Sequence, residues 1–151
     1  MAVRRRFPRR QKASGDHAHG PVWIGLLHCQ LMHPELKALR GLDELDRALA
    51  ASGDRPLLLF KHSFTCGVSA EALDALVAHL NEPPTGADYA IVTVQTHREV
   101  SNAVARQLGI RHETPQALLI RDGRVVWSAS HFRVTATAVD DAIRRHPAVV
   151  Q

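Results

Sequence analysis

Hydrophobic and polar positions fall into a regular pattern only from Leu39 onward, and from there the chain reads as a succession of short elements. Residues 43–51 are good helix formers with Leu45 and Leu49 four apart, and Gly53 stops them, which predicts a short helix. Leu57-Leu58-Leu59-Phe60 is an apolar run too short for a helix; introduced by Arg55–Pro56, it suits a buried central strand. After Cys66 the period lengthens, with Val68, Leu73, Leu76, Val77 and Leu80 on one helical face until Pro83–Pro84. Residues 89–94 are β-branched and strand-like, and Val100, Val104 and Leu108 predict a helix over 98–108 closed by Gly109. Ala117-Leu118-Leu119-Ile120 and Val125-Val126-Trp127 flank Arg121-Asp122-Gly123-Arg124, a strong hairpin signal, with Trp127 expected in the core. Thr135 opens a last helix that runs to about His146, ahead of Pro147.

Strand–helix–strand units imply parallel pairing with right-handed crossovers, while the Asp-Gly hairpin adds two antiparallel strands. The expected product is an α/β domain over residues 32–151, a central mixed four-stranded sheet flanked by helices, which is the thioredoxin-like arrangement. Other α/β sandwiches share the same element order.

The length of 151 residues leaves room for one domain, and shares of 45% hydrophobic and 23% charged residues suit a globular protein. No apolar run approaches the roughly 18 residues of a membrane-spanning helix, so no membrane role and a cytoplasmic location are expected. The formal net charge of +4 invites a nucleic-acid reading. Its distribution argues against one: residues 1–31 carry six basic residues against one acid, and the remainder carries 13 against 14. Residues 1–31, with an arginine cluster, Pro8, Ser14-Gly15-Asp16, His17 and His19, are expected to be a disordered basic extension. The apolar stretch from Pro21 to Met32 follows the arginines as a signal-peptide core would, but Gly20–Pro21, His28 and Gln30 interrupt it and no small-residue cleavage site follows. Met32 is the only methionine besides Met1, which makes a mis-assigned start one reading of the extension.

Two cysteines, Cys29 and Cys66, cannot build a disulfide scaffold, and their spacing fits neither a C-x-x-C motif nor a zinc motif. Chemistry at sulfur must rest on one thiol. Thr65-Cys66-Gly67-Val68-Ser69 stands where the first buried strand hands over to the first long helix. A thiol there faces unpaired backbone N–H groups and the positive end of the helix dipole, which favour thiolate over thiol. Lys61 or His62 could add a cation, although strand alternation points one of them away. Glu113-Thr114-Pro115-Gln116 is the second signal: in a thioredoxin-like sheet this loop lies beside the cysteine, and a cis Thr114–Pro115 bond would turn the Thr114 backbone toward the thiol to receive substrate as an added strand.

Phe60-Lys61-His62-Ser63 with Thr65-Cys66-Gly67-Val68-Ser69, then Arg98-Glu99-Val100-Ser101-Asn102, Gly109-Ile110-Arg111-His112-Glu113-Thr114-Pro115-Gln116 and Trp127-Ser128-Ala129-Ser130-His131, resembles the bacillithiol-system redox-active proteins of the YtxJ type, monothiol bacilliredoxin-like members of the thioredoxin superfamily. The likeness runs over roughly residues 40 to 145. It implies disulfide exchange on proteins capped with bacillithiol, a low-molecular-weight thiol, with Cys66 in the place of the family's cysteine and Pro115 in that of its cis-proline. Gly67 departs from the proline usual there, so Cys-Gly-Val-Ser drifts toward the Cys-Gly-Phe-Ser of monothiol glutaredoxins, which handle glutathione and iron–sulfur clusters. The Gly-Gly pair expected after a glutaredoxin's last strand is replaced by Ser128-Ala129-Ser130-His131.

The expected chemistry is attack of the Cys66 thiolate on a mixed disulfide. Ser69 occupies the position of a resolving cysteine and cannot resolve; it either donates to the thiolate or satisfies the helix's first turn. Cys66, Ser69 and Pro115 are the expected catalytic residues, with Lys61, His62, Thr65, Gly67, Thr114, Gln116 and His131 around the substrate. No cofactor is expected beyond bacillithiol as co-substrate, and the partners are bacillithiol-modified proteins and a small thiol, met by a monomer. His62, Cys66, His112 and His131 raise a zinc alternative, but histidines without short paired spacing are expected at the surface or orienting loops. A peptide-binding thioredoxin-like module without turnover remains a further alternative.

Overall fold

The computed structural model describes residues 33–81 and 86–148. The basic extension with Cys29, His17 and His19, and the Pro83–Pro84 stop, lie outside the described residues. The elements are β1 (Leu36–Ala38), α1 (Leu42–Ala51), β2 (Leu57–His62), α2 (Gly67–Leu80), β3 (Asp88–Thr93), α3 (Arg98–Leu108), β4 (Gln116–Arg121), β5 (Arg124–Ser130), a 3-10 turn (His131–Arg133) and α4 (Ala136–Arg145).

The sheet has five strands in the order β1-β3-β2-β4-β5, one more than the four expected. The extra strand is β1, which pairs parallel with β3 at Leu36↔Tyr89 and is prolonged by a bond from Leu39 N–H to Ile91 C=O at 2.9 Å. Three residues span too little alternation to leave a periodic signal; backbone pairing to a distant strand makes them β. β2 lies at the centre, parallel to β3 and antiparallel to β4. The hairpin joining β4 to β5 turns through Asp122 and Gly123, both at positive φ (49° and 68°), the geometry an Asp-Gly pair supplies at least cost.

Side chains of β2 alternate between two cores. Leu58 and Phe60 face α2 and α4, against Ala72, Leu76, Val139 and Ile143, while Leu57 and Leu59 face α1 and α3, against Leu45, Val100 and Val104. This alternation places Lys61 and His62 on opposite sides of the sheet. The buried face of α2 is Ser69, Ala72, Leu76, His79 and Leu80, turned from the expected stripe so that Val68 and Val77 are half-exposed. Polar Ser69 and His79 can lie inside because each has partners there; His79 Nε2 meets the Tyr89 hydroxyl at 2.8 Å, and its Nδ1 stands 2.7 Å from the Asp140 carboxylate. Trp127, expected in the core, is half-buried against it, because β5 is an edge strand with one face toward solvent.

Candidate active site

α2 begins at Gly67 with Cys66 as its N-cap residue in extended conformation, so the C=O of Cys66 accepts the first helical bonds from Ser69 and Ala70. The half-exposed thiol therefore stands beside the open N–H groups of the first turn. Gly67 occupies the first helical position, and a Cβ there would meet nothing within 4 Å. The site has room for a larger residue, proline included, whose fixed φ suits a first helical position.

Ser69, in the first turn of α2, is fully buried. Its Oγ accepts from the Ser63 N–H at 2.9 Å and pairs with His62 Nδ1 at 3.0 Å. The hydroxyl thus ties the loop before Cys66 to the helix after it, and its bonds run to backbone and imidazole. His62 shares this face, stacked near Phe60 at 6.1 Å. Thr65 is exposed, and its hydroxyl joins Ser63 Oγ at 3.2 Å and Gln95 Nε2 at 3.1 Å; Gln95 also reaches Ser63 Oγ at 2.5 Å. Gln95, from the loop after β3, was invisible to motif reading. Only the adjacency of β2 and β3 brings it to the cysteine loop.

The second half of the site is the loop from Arg111 to Pro115. Its Thr114–Pro115 bond is cis, and the Pro115 C=O accepts from the His131 N–H at 3.0 Å. His131 takes a left-handed conformation (φ 55°), uncommon for a non-glycine residue, and turns the chain from β5 into the 3-10 turn.

Three neighbours across the sheet anchor this loop from the α1/α3 side. Lys61, Gln116 and Ser130 are in register (Lys61↔Gln116↔Ser130), and all three are buried. Lys61 Nζ lies 2.8 Å from His112 Nδ1, whose Nε2 is 3.4 Å from Thr114 Oγ1. Gln116 Nε2 donates to the Arg111 C=O at 3.1 Å. The Ser130 hydroxyl holds the Glu113 carboxyl below its ordinary range, helped by the charges of His131, Arg111 and Arg133. Burial pushes Lys61 down to about 8 against the pull of Glu113. His112 is lowered from the ordinary histidine range by desolvation and by the charges of Lys61 and Arg98, so at neutral pH its Nδ1 keeps the lone pair that the Lys61 ammonium needs.

Of the residues singled out from the sequence, Cys66, Ser69, His62, Thr65 and Gly67 come together at the start of α2, with Thr114, Pro115 and His131 on the loops beside them. Lys61 and Gln116 lie inward on the opposite face and support the loop from below. Among the described residues no three His, Cys, Asp or Glu side chains group to hold a metal ion. The rings of His62 and His112 are engaged by Ser69 and Lys61.

A mixed sheet with a cysteine at the N-terminus of the helix after its central strand defines a thioredoxin-fold protein. Solved structures agree. A thioredoxin-fold protein described as a candidate oxidoreductase superposes with a TM-score of 0.64 at 27% identity, over 71% of this chain and 92% of its own. Thioredoxin from Fasciola hepatica matches with a TM-score of 0.60 at 20% identity, over 74% and 99% of the two chains. A mutant thioredoxin from Halobacterium salinarum also gives 0.60 at 20%, over 78% and 96%. Residues 37–139 match the model of the monothiol bacilliredoxin BrxC family. The chain belongs to that family, and its function is thiol redox chemistry. No helix among the described residues is long and apolar enough to cross a membrane.

Proposed function

We propose that this protein removes bacillithiol from protein mixed disulfides through Cys66 alone. The Cys66 thiolate attacks the bacillithiol sulfur, the disulfide to the client breaks, and the client leaves as thiolate while Cys66 becomes the mixed disulfide. A second thiolate from solution or a reductase then attacks the bacillithiol sulfur and restores Cys66, carrying bacillithiol away as a new disulfide. Oxidation state is conserved in each step, because one disulfide is exchanged for another.

The observation that carries this reading is Ser69 in the first turn of the helix that Cys66 caps. Where a dithiol relative would hold a second sulfur, the Ser69 hydroxyl is buried and bonded to His62 and the Ser63 N–H, and Cys66 is the free cysteine of the described residues. Among the described residues the adduct therefore has no second thiol to displace bacillithiol. Incubation with a bacillithiol-capped protein and, separately, with the same protein capped by glutathione, followed by intact-mass spectra, tests the proposal. One bacillithiol adduct on Cys66, cleared only by added thiol, is the expected result. Preferential capture of glutathione would move the protein to the glutaredoxin-like chemistry, and no adduct from either would make it a binding module.

A further inference from the structure

The two most exposed large apolar side chains of the described residues stand on loops that leave the sheet at the end where Cys66 lies. Phe64, two residues before Cys66, is 59% exposed and Phe132 is 75% exposed, whereas Leu42 and Val126 are each 37% exposed. Phenylalanine is ordinarily buried, and two such rings in water at one end of a domain mark a surface built for contact. Their placement is set by the sheet. Phe64 follows the end of β2, and Phe132 sits in the turn after β5, whose first N–H binds Pro115 C=O. β4 alone separates β2 from β5, so their backbones stand about two strand spacings, roughly 10 Å, apart. An extended peptide rises about 3.4 Å per residue, so alternate side chains of a short segment can span from one ring to the other.

The rim around these rings is cationic. Arg133 follows Phe132 and stands with Arg111 about Glu113, and Arg98 is exposed beside His112, whereas Lys61 is buried on the opposite face. The domain as a whole is nearly balanced, with 13 basic and 14 acidic residues from position 32 onward. Arg98, Arg111 and Arg133 thus place exposed positive charge on this end of the domain, with Glu113 among them.

We propose that Phe64 and Phe132, with the cationic rim formed by Arg98, Arg111 and Arg133, are a docking surface for an extended apolar segment of the client protein flanked by acidic residues, with its capped cysteine between the two rings. This rests on the mixed-disulfide reading of Cys66 and adds the class of client. The surface selects among proteins, while the small thiol is left to the groups beside Cys66.

The test compares three substrates of the full chain: a short peptide with one bacillithiol-capped cysteine, leucines two residues to either side and glutamates at the ends; the same peptide with lysines in place of glutamates; and oxidised bacillithiol alone. Rates come from quenched intact-mass measurements. Phe64→Ser with Phe132→Ser should slow the glutamate peptide about tenfold while oxidised bacillithiol stays within about twofold of wild type. The glutamate peptide should outpace the lysine peptide at low salt, with the gap closing near 0.5 M, and Arg133→Glu should narrow it. Equal rates for wild type and the double serine variant on the peptide, or equal losses on peptide and oxidised bacillithiol, would overturn the docking surface while leaving the exchange chemistry standing. A wild-type protein that reacts with none of the three removes the mixed-disulfide reading and the surface with it. A concentration-dependent dimer that dissociates on the double serine substitution would assign the rings to a second copy of this chain and overturn the proposal as well.

Discussion

Lys61→Met is expected to make the protein more stable and less active. Lys61 is fully buried, and its ammonium is held there by one bond to a neutral imidazole. Its pKa is about 8 in the fold against 10.5 for a solvated lysine. Below about pH 8 the lysine is charged in both folded and unfolded chains, and the penalty of burying that charge is fully present. Between about 8 and 10.5 the unfolded chain still holds a proton that the folded one has lost, so stability rises with pH through this window. At about 1.4 kcal/mol per tenfold, the gap corresponds to about 3 kcal/mol. Losing the bond to His112 returns about 1 kcal/mol, so methionine, similar in length and uncharged, should stabilise by about 2 kcal/mol at pH 7. Urea unfolding of both proteins at pH 7 and pH 10 measures this, and groups common to both cancel in the difference. The advantage of methionine should shrink below about 1 kcal/mol at pH 10. The same variant frees His112 from below Thr114, so exchange with a bacillithiol-capped protein should slow severalfold while alkylation of Cys66 by iodoacetamide holds its rate. A variant no more stable than wild type at pH 7, or an advantage that does not change with pH, would refute this account of Lys61.

Cys66→Ala should abolish exchange, and Ser69→Cys should convert the trapped adduct into an internal disulfide seen as bacillithiol release in intact-mass spectra, since the spacing across a helix's first turn lets two sulfurs meet. His79→Ala should cost about 3 kcal/mol in urea unfolding, because it empties a buried ring site and removes the contacts with the Tyr89 hydroxyl and the Asp140 carboxylate where α2, β3 and α4 meet; a loss under about 1 kcal/mol would refute this. Gly109 caps α3 in the left-handed region (φ 63°) with open space about its Cα, so Gly109→Ala should destabilise by about 1 kcal/mol through backbone strain alone, with exchange rates unchanged.

Much of this protein was legible in local sequence. The runs around Leu57–Phe60 and Ala117–Ile120, the spacing of Val100, Val104 and Leu108, and the Asp122–Gly123 turn each carry their own periodicity or backbone preference, and the fold follows them. The position of Cys66 between a buried strand and a helix is of the same kind, since the hand-over is written in adjacent residues. Tertiary structure decided the rest, because it depends on groups distant in the chain. β1 exists through its partner β3. Alternation along β2 requires that Lys61 and His62 part, but only the helices packed on each face determine which one lies with the thiol. Ser69 and His79 can enter the core face of α2 because His62, Tyr89 and Asp140 meet them there, and the stripe of that helix turns accordingly. Gln95 reaches the cysteine loop, and Lys61, Gln116 and Ser130 grip the loop before Pro115, through strand register that no single segment contains. A sequence specifies local preference at each position, whereas the polar contacts that shape this site connect residues whose proximity is created by the packing of the whole sheet.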